Sequence, residues 1–246
     1  MLNKLRKNLN TGFYNNLDIN FEQALNMSER EFSHEELLNL LKNGNIPEKQ
    51  IAALKLDAVN NLAEAEVLVE NLTGCDGKIR EAVALKINSL LNKDSNLSCL
   101  FNQAEVFANA SIDINANICR LVIDSVAILK KDLEFSKKYL NKILVFIDEA
   151  FAEIDKFIFR DKKYVINKQL FKLYWCLEAL AENFNQSFNQ ENLVKILAEN
   201  AKCVDYTIRE KVAKILVKMQ NPPEELYQKM KNDENYYVKL NFYDKI

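Results

Sequence analysis

Four glycines and three prolines are all that this chain of 246 residues contains. That scarcity excludes most β architectures, whose tight turns repeatedly need residues of special backbone conformation. The few present lie between apolar periodic stretches: Gly44 with Pro47, Gly74 with Gly77, and Pro222-Pro223, the last expected at a helix N1 position. With the periodic stretches uninterrupted, the fold class expected is all-α.

Other shortages exclude chemistry. His34 is the only histidine. It directly follows the Ser33 cap, where a solvent-facing first-turn residue is expected, so histidine metal sites and distributed acid–base systems are excluded. The five cysteines (Cys75, Cys99, Cys119, Cys176, Cys203) are odd in number, widely spaced and form no C-x-x-C pair. They read as reduced, buried thiols of a cytoplasmic protein that holds no metal. The acids Asp148, Glu149, Glu153 and Asp155 have no Glu-x-x-His beside them and read as a solvated helix face. Phosphate-loop, dinucleotide and nucleophile-elbow motifs are missing, so neither an enzyme nor a cofactor is expected.

No apolar run approaches the ~18–20 residues needed to span a bilayer. The N-terminal MLNKLRKNLNTGFYNN carries positive charge with no apolar run behind it, and residues 1–33 are expected to be a helical extension or cap. Lys+Arg 33 against Asp+Glu 35 gives a net charge of -2, which supplies no global field for nucleic acid or an anionic membrane.

What the chain does have is repetition. Asp76 to Ile87 reads DGKIREAVALKI, and Asp205 to Leu216 reads DYTIREKVAKIL. From Ile79, apolar residues recur at Ala82, Val83, Ile87 and Leu90, one stripe of a helix. Similar stripes start at Ile118, Ile166, Ile208 and Val238, and a weaker copy aligns Glu48 with Ile79. The intervals between these six anchors are 31, 39, 48, 42 and 30 residues, each long enough for two helices and two turns. Partner helices are expected over Glu35–Leu41, Ala63–Leu72, Cys99–Ala108, Leu133–Phe157, Glu191–Asn200 and Pro223–Lys231. Capping boxes are read at Ser28…Glu31, Ser33…Glu36 and Thr207…Glu210.

Asp76, Ile79, Arg80, Val83, Ala84 and Asp205, Ile208, Arg209, Val212, Ala213 resemble the second helix of HEAT-type repeats, which opens with an acid, an aliphatic-Arg pair and small apolar residues. The resemblance covers most of residues 34–246 and implies an α-solenoid of about six stacked antiparallel helix pairs, forming one structural domain. A lone hairpin cannot bury its stripe, so each unit stacks on the next. Arg80 and Arg209 are expected to reach an acid in a neighbouring turn.

The segment Lys156 to Trp175, KFIFRDKKYVINKQLFKLYW, interleaves bases and aromatics, a pattern shared by nucleic-acid surfaces and ordinary amphipathic helices. With Ile166, Leu170, Leu173 and Leu177 inward, a helical wheel turns Lys168, Lys172 and Trp175 to the free face. The equivalent direction holds Glu81, Arg120, Asp124, Glu210 and Lys214 on other second helices. The resemblance implies that this face is concave and binds a partner, expected to be a protein or peptide. The alternative is a nucleic-acid binder similar to the HEAT-like alkylpurine DNA glycosylases, with Trp175, Asp124 and Arg120 as a loose counterpart of that family's Trp, Asp and Arg. A HEAT-type chromophore lyase is a third reading with no motif behind it.

Overall fold

In a computed structural model the described residues are 23–94, 97–157, 162–184 and 190–243. Their regular elements are helical, and no strand occurs among them. The chain divides into two compact units, Met1–Leu100 and Phe101–Ile246. The first contains a short helix over residues 23–29, then α1 (His34–Asn43), α2 (Ile46–Lys55), α3 (Leu62–Glu70) and α4 (Gly77–Lys93). The second contains α5 (Ala104–Ala110), α6 (Ala116–Leu129), α7 (Leu133–Phe157), α8 (Lys163–Asn183), α9 (Gln190–Asn200), α10 (Tyr206–Leu216), α11 (Glu224–Lys231) and α12 (Tyr236–Leu240). None of these helices is long and apolar enough to cross a membrane.

The repetition has a physical origin at the helix starts. Five second helices are capped by an Asx side chain that accepts from backbone N–H groups of the first turn: Asn45 on α2, Asp76 on α4, Asn115 on α6, Asp205 on α10 and Asn235 on α12. Each such cap is worth about 1 kcal/mol. Three residues beyond each cap stands a stripe anchor: Glu48, Ile79, Ile118, Ile208 or Val238. The four aliphatic anchors are buried, each contributing roughly 1.5–3 kcal/mol, whereas Glu48 returns a carboxylate to the Asn45 N–H and completes a capping box. Helix α8 departs from the pattern, because Lys162 stands at its cap and makes no side-chain cap bond.

The repeated arginine works on the turn before its own helix. Arg80 Nη1 donates to the Gly74 carbonyl and Arg209 Nη1 to the Cys203 carbonyl, each at 2.8 Å and each six residues back. Arg209 goes further: its Nε and Nη2 donate to the two Asp233 oxygens at 2.7 and 3.0 Å, and Nη1 also reaches the Val204 carbonyl at 2.9 Å. The expected arginine–acid link between turns is thus present for Arg209. Gly44 answers a different need at the α1–α2 turn. A Cβ there would lie 2.5 Å from the Leu40 carbonyl oxygen and 2.8 Å from Glu48 Cβ, so no larger residue fits without a shift.

In the second unit the helices pack as hairpins, α5 on α6, α7 on α8, α9 on α10 and α11 on α12. The second helices also touch in chain order: α6 against α8, α8 against α10, and α10 against α12. Phe107, Phe135 and Tyr139 form a buried aromatic run between α5 and α7, where the Tyr139 hydroxyl bonds Ser111 Oγ at 2.8 Å. In the first unit α1 packs on α2 and α3, and α2 on α4.

Several local expectations change. Ser28 does not cap a helix; it lies in the helix over residues 23–29, and its Oγ donates to the Leu25 carbonyl. Thr207 is second to Asp205, which holds both its N–H and its hydroxyl. Pro223 stands at the N-cap position of α11, one residue before the N1 site expected for the Pro pair. The helix expected over Cys99–Ala108 begins as a 3-10 stretch, Ser98–Gln103, and continues as α5. Only Cys119 and Cys176 among the five free thiols are buried, and Cys75 is exposed. His34 is half-buried and its Nε2 lies 3.0 Å from Glu64 Oε2, which ties α1 to α3. Residues 1–22, with Arg160, Asp161 and Ile246, lie outside the described residues.

Candidate functional site

Three of the expected site residues meet in one place. Arg120, Asp124 and Trp175 line an open-sided cleft of about 220 Å³ together with Ile123, Tyr174, Glu178 and Glu182. Helix α6 supplies Arg120, Ile123 and Asp124 from one face, since residues three and four apart neighbour each other on a helix. Helix α8 supplies the opposite wall by the same spacing through Tyr174, Trp175, Glu178 and Glu182. The α6–α8 contact is therefore what creates the cleft.

The walls differ in depth and charge. Arg120 and Asp124 are exposed residues at the rim, whereas Ile123 and Trp175 are buried, the indole only 6% exposed. The wheel placed Trp175 on the free face; the structure instead covers the ring with Phe171 and Tyr174 in edge contacts at 6.2 and 5.2 Å. Its Nε1 has no hydrogen-bond partner among the described residues.

A ladder of ion pairs joins the α8 wall to α10 and the residues just after it. Lys211 Nζ sits 3.1 Å from Glu178 Oε2 and 4.7 Å from the centre of the Tyr174 ring. Lys214 bonds Glu178 Oε1 at 3.0 Å and also pairs with Glu182, which Lys218 approaches at 3.5 Å. Loss of solvent opposes ionisation of the Glu182 carboxyl, yet Lys214 and Lys218 overcome this and hold it below its usual range. Asp124 behaves in the opposite way. Removal from water, then the charge of Glu182, and more weakly that of Glu178, raise its carboxyl above the usual range against the pull of Arg120. Neither Asp124 nor Arg120 has an ion-pair or hydrogen-bond partner among the described residues.

The other expected site residues are elsewhere. Lys172 turns toward α7, where it bonds Glu149 at 2.9 Å and lies over the Phe146 ring at 4.7 Å. Lys168 is exposed on α8, and Glu210 is 3.7 Å from Lys211 on α10. Glu81 belongs to α4 in the first unit. Sequence reasoning missed Tyr174, Glu178, Glu182 and Lys211. The signal was available, because acids four apart on α8 match lysines three and four apart on α10 and just past its end. Among the described residues no group of three or more His, Cys, Asp and Glu is arranged to hold a metal ion.

Buried thiols offer no nucleophile. Burial pushes Cys119 up to about 12, helped by Asp113, and raises Cys176 still further.

No family model matches the chain, and no curated protein matches it. Among solved structures it is similar to the crystal structure of an engineered protein from the Northeast Structural Genomics Consortium, with 15% identity, 86% of this chain and 94% of that chain covered, and a TM-score of 0.47.

Proposed function

We propose that this protein is a non-catalytic interaction module, a cytoplasmic HEAT-like solenoid spanning residues 34–246, which holds a protein or peptide along the face formed by its second helices. The observation that carries this reading is the cleft between α6 and α8, where Arg120 and Asp124 present unpaired charges beside an aromatic floor. Exposed charge without an internal partner does nothing for packing, whereas the equivalent charges of α8 and α10 are spent on each other. Lys168, Glu210 and Lys214 extend the face on either side; Lys172 is left out because it serves the α7–α8 contact.

The test is recovery of a partner from the native cell with wild-type protein and with a charge-reversed Lys168→Glu, Glu210→Lys variant. Loss of the same partner from the variant, with its helical spectrum intact, supports the reading. Equal recovery by both removes this face from the interaction.

A second reading has one observation in its favour: Arg120, Asp124 and Trp175, the trio expected for a glycosylase-like DNA binder, do share one cleft. Glu178 and Glu182 in the same walls already occupy the neighbouring lysines, which leaves Arg120 as the one base of the lining for a phosphate backbone. A phosphate-tracking surface loses affinity steeply between low and physiological salt. Salt-sensitive DNA binding abolished by Arg120→Ala would transfer the conclusion to this reading.

A further inference from the structure

Resting on the interaction-module reading, we infer that the α6–α8 cleft is a pocket for one basic side chain, the ammonium or guanidinium of a Lys or Arg in a partner peptide, with Asp124 as its counter-ion and Tyr174 and Trp175 as its aromatic wall. Size and charge both point this way. A volume of about 220 Å³ admits one long side chain and excludes a folded element. Of the cleft's three carboxylates, Glu178 and Glu182 are already neutralised by Lys211 and Lys214 of α10 and by Lys218 just beyond its end, which leaves Asp124 as the acid with no cation in contact. Arg120, four residues earlier on the same helix, makes no ion pair with it and is the one base in the lining.

The potential at Asp124 follows from the groups that face it. Removal from water, then the charge of Glu182 on α8, raise the Asp124 carboxyl above its usual range against the pull of Arg120 on α6, and Glu178 adds least. An arriving cation would oppose that rise and hold the carboxylate in its ionised form. Aromatic walls strengthen such a contact by cation–π attraction, a geometry already present beside the cleft, with Lys211 over Tyr174. An anionic occupant would meet the uncompensated Asp124, with Arg120 as the one base in the lining to receive it.

The chain's single tryptophan makes the test direct, because one indole N–H resonance and one emission band report on the cleft. Full-length protein is titrated with blocked pentapeptides of four glycines around a central Arg, Lys, norleucine or Glu. The Arg and Lys peptides are expected to shift the Trp175 indole resonance saturably, and the norleucine and Glu peptides to leave it in place. Asp124→Asn, at an exposed position that costs no packing, should weaken both basic peptides by about fivefold or more, the scale of a partly screened ion pair with an aromatic neighbour. Binding should also fade as pH falls, starting above the ordinary carboxylate range because the Asp124 proton is held more tightly than usual. Preferential binding of the Glu peptide, an unchanged affinity in Asp124→Asn, or no shift with any peptide overturns the inference. If these results occur while the charge-reversed face still loses its cellular partner, the module stands and only the occupant assigned to the cleft is wrong.

Discussion

Trp175 and Arg209 carry the two sharpest expectations for single residues. The indole is 6% exposed and fills the floor between α6 and α8, so its emission should be blue-shifted and resistant to acrylamide in the free protein. Replacement by Ala should cost roughly 3–5 kcal/mol of stability, as measured by denaturant unfolding. A red-shifted, freely quenched Trp175 would contradict the buried placement. Arg209 and Asp233 have side chains only 9% and 7% exposed, and removing one partner strands a buried charge on the other. Arg209→Ala should therefore destabilise by roughly 3–5 kcal/mol. The same pair sets part of the acid response. Hydrogen bonds from Arg209 hold the Asp233 carboxyl below its usual range, so its contribution is complete above an unfolded Asp value of about 3.9 and disappears as pH falls through the lower folded value. Asp233→Asn should flatten that part of the acid unfolding profile; an unchanged profile would mean that other carboxylates dominate it.

At the scale of elements, the caps and the ladder are separable contributions. Asn115→Ala and Asp205→Ala each remove an acceptor for first-turn amides and should cost about 1 kcal/mol apiece by thermal or denaturant melting. The Lys211–Glu178 contact couples α10 to α8 through a buried lysine, and a double-mutant cycle with Lys211→Met and Glu178→Gln should return a coupling energy of roughly 0.5–3 kcal/mol. A coupling near zero would reduce the ladder to surface decoration. The helices themselves were legible in the sequence because their stripes are long and their breakers few: Leu133–Phe157 and the ends Asn200 and Lys231 coincide with the expectation. Caps were less legible, since Asp76, Asn115 and Asn235 have no Glu or Gln three residues on that would distinguish them from surface polar residues until the turn is seen. The cleft was half legible. A wheel drawn for one helix orients Arg120 and Asp124 correctly because one side of α6 is free. It fails for Trp175 and Lys172 because α8 has neighbours on three sides, α6, α7 and α10, and no single inward direction.

For the whole molecule, contacts between successive second helices predict graded responses to truncation. Removing residues from Asn221 onward should subtract the helicity of α11 and α12 while the rest of the chain stays folded, as circular dichroism would record. It also strands Arg209, so the melting temperature should fall and then recover partly when Arg209→Met is added to the truncated chain. Global unfolding of the truncated chain would indicate one cooperative core. Added zinc or chelator should leave the melting curve of the full chain unchanged, and a metal-dependent shift would give the cysteines a role other than packing. The guanidinium bond to a carbonyl six residues back has a mechanical meaning as well. A turn tied in this way to the first turn of its helix resists local bending there, so give between helices is expected at their side-chain contacts instead. Around Arg209, which also grips Asp233 in the following turn, that joint is braced as well.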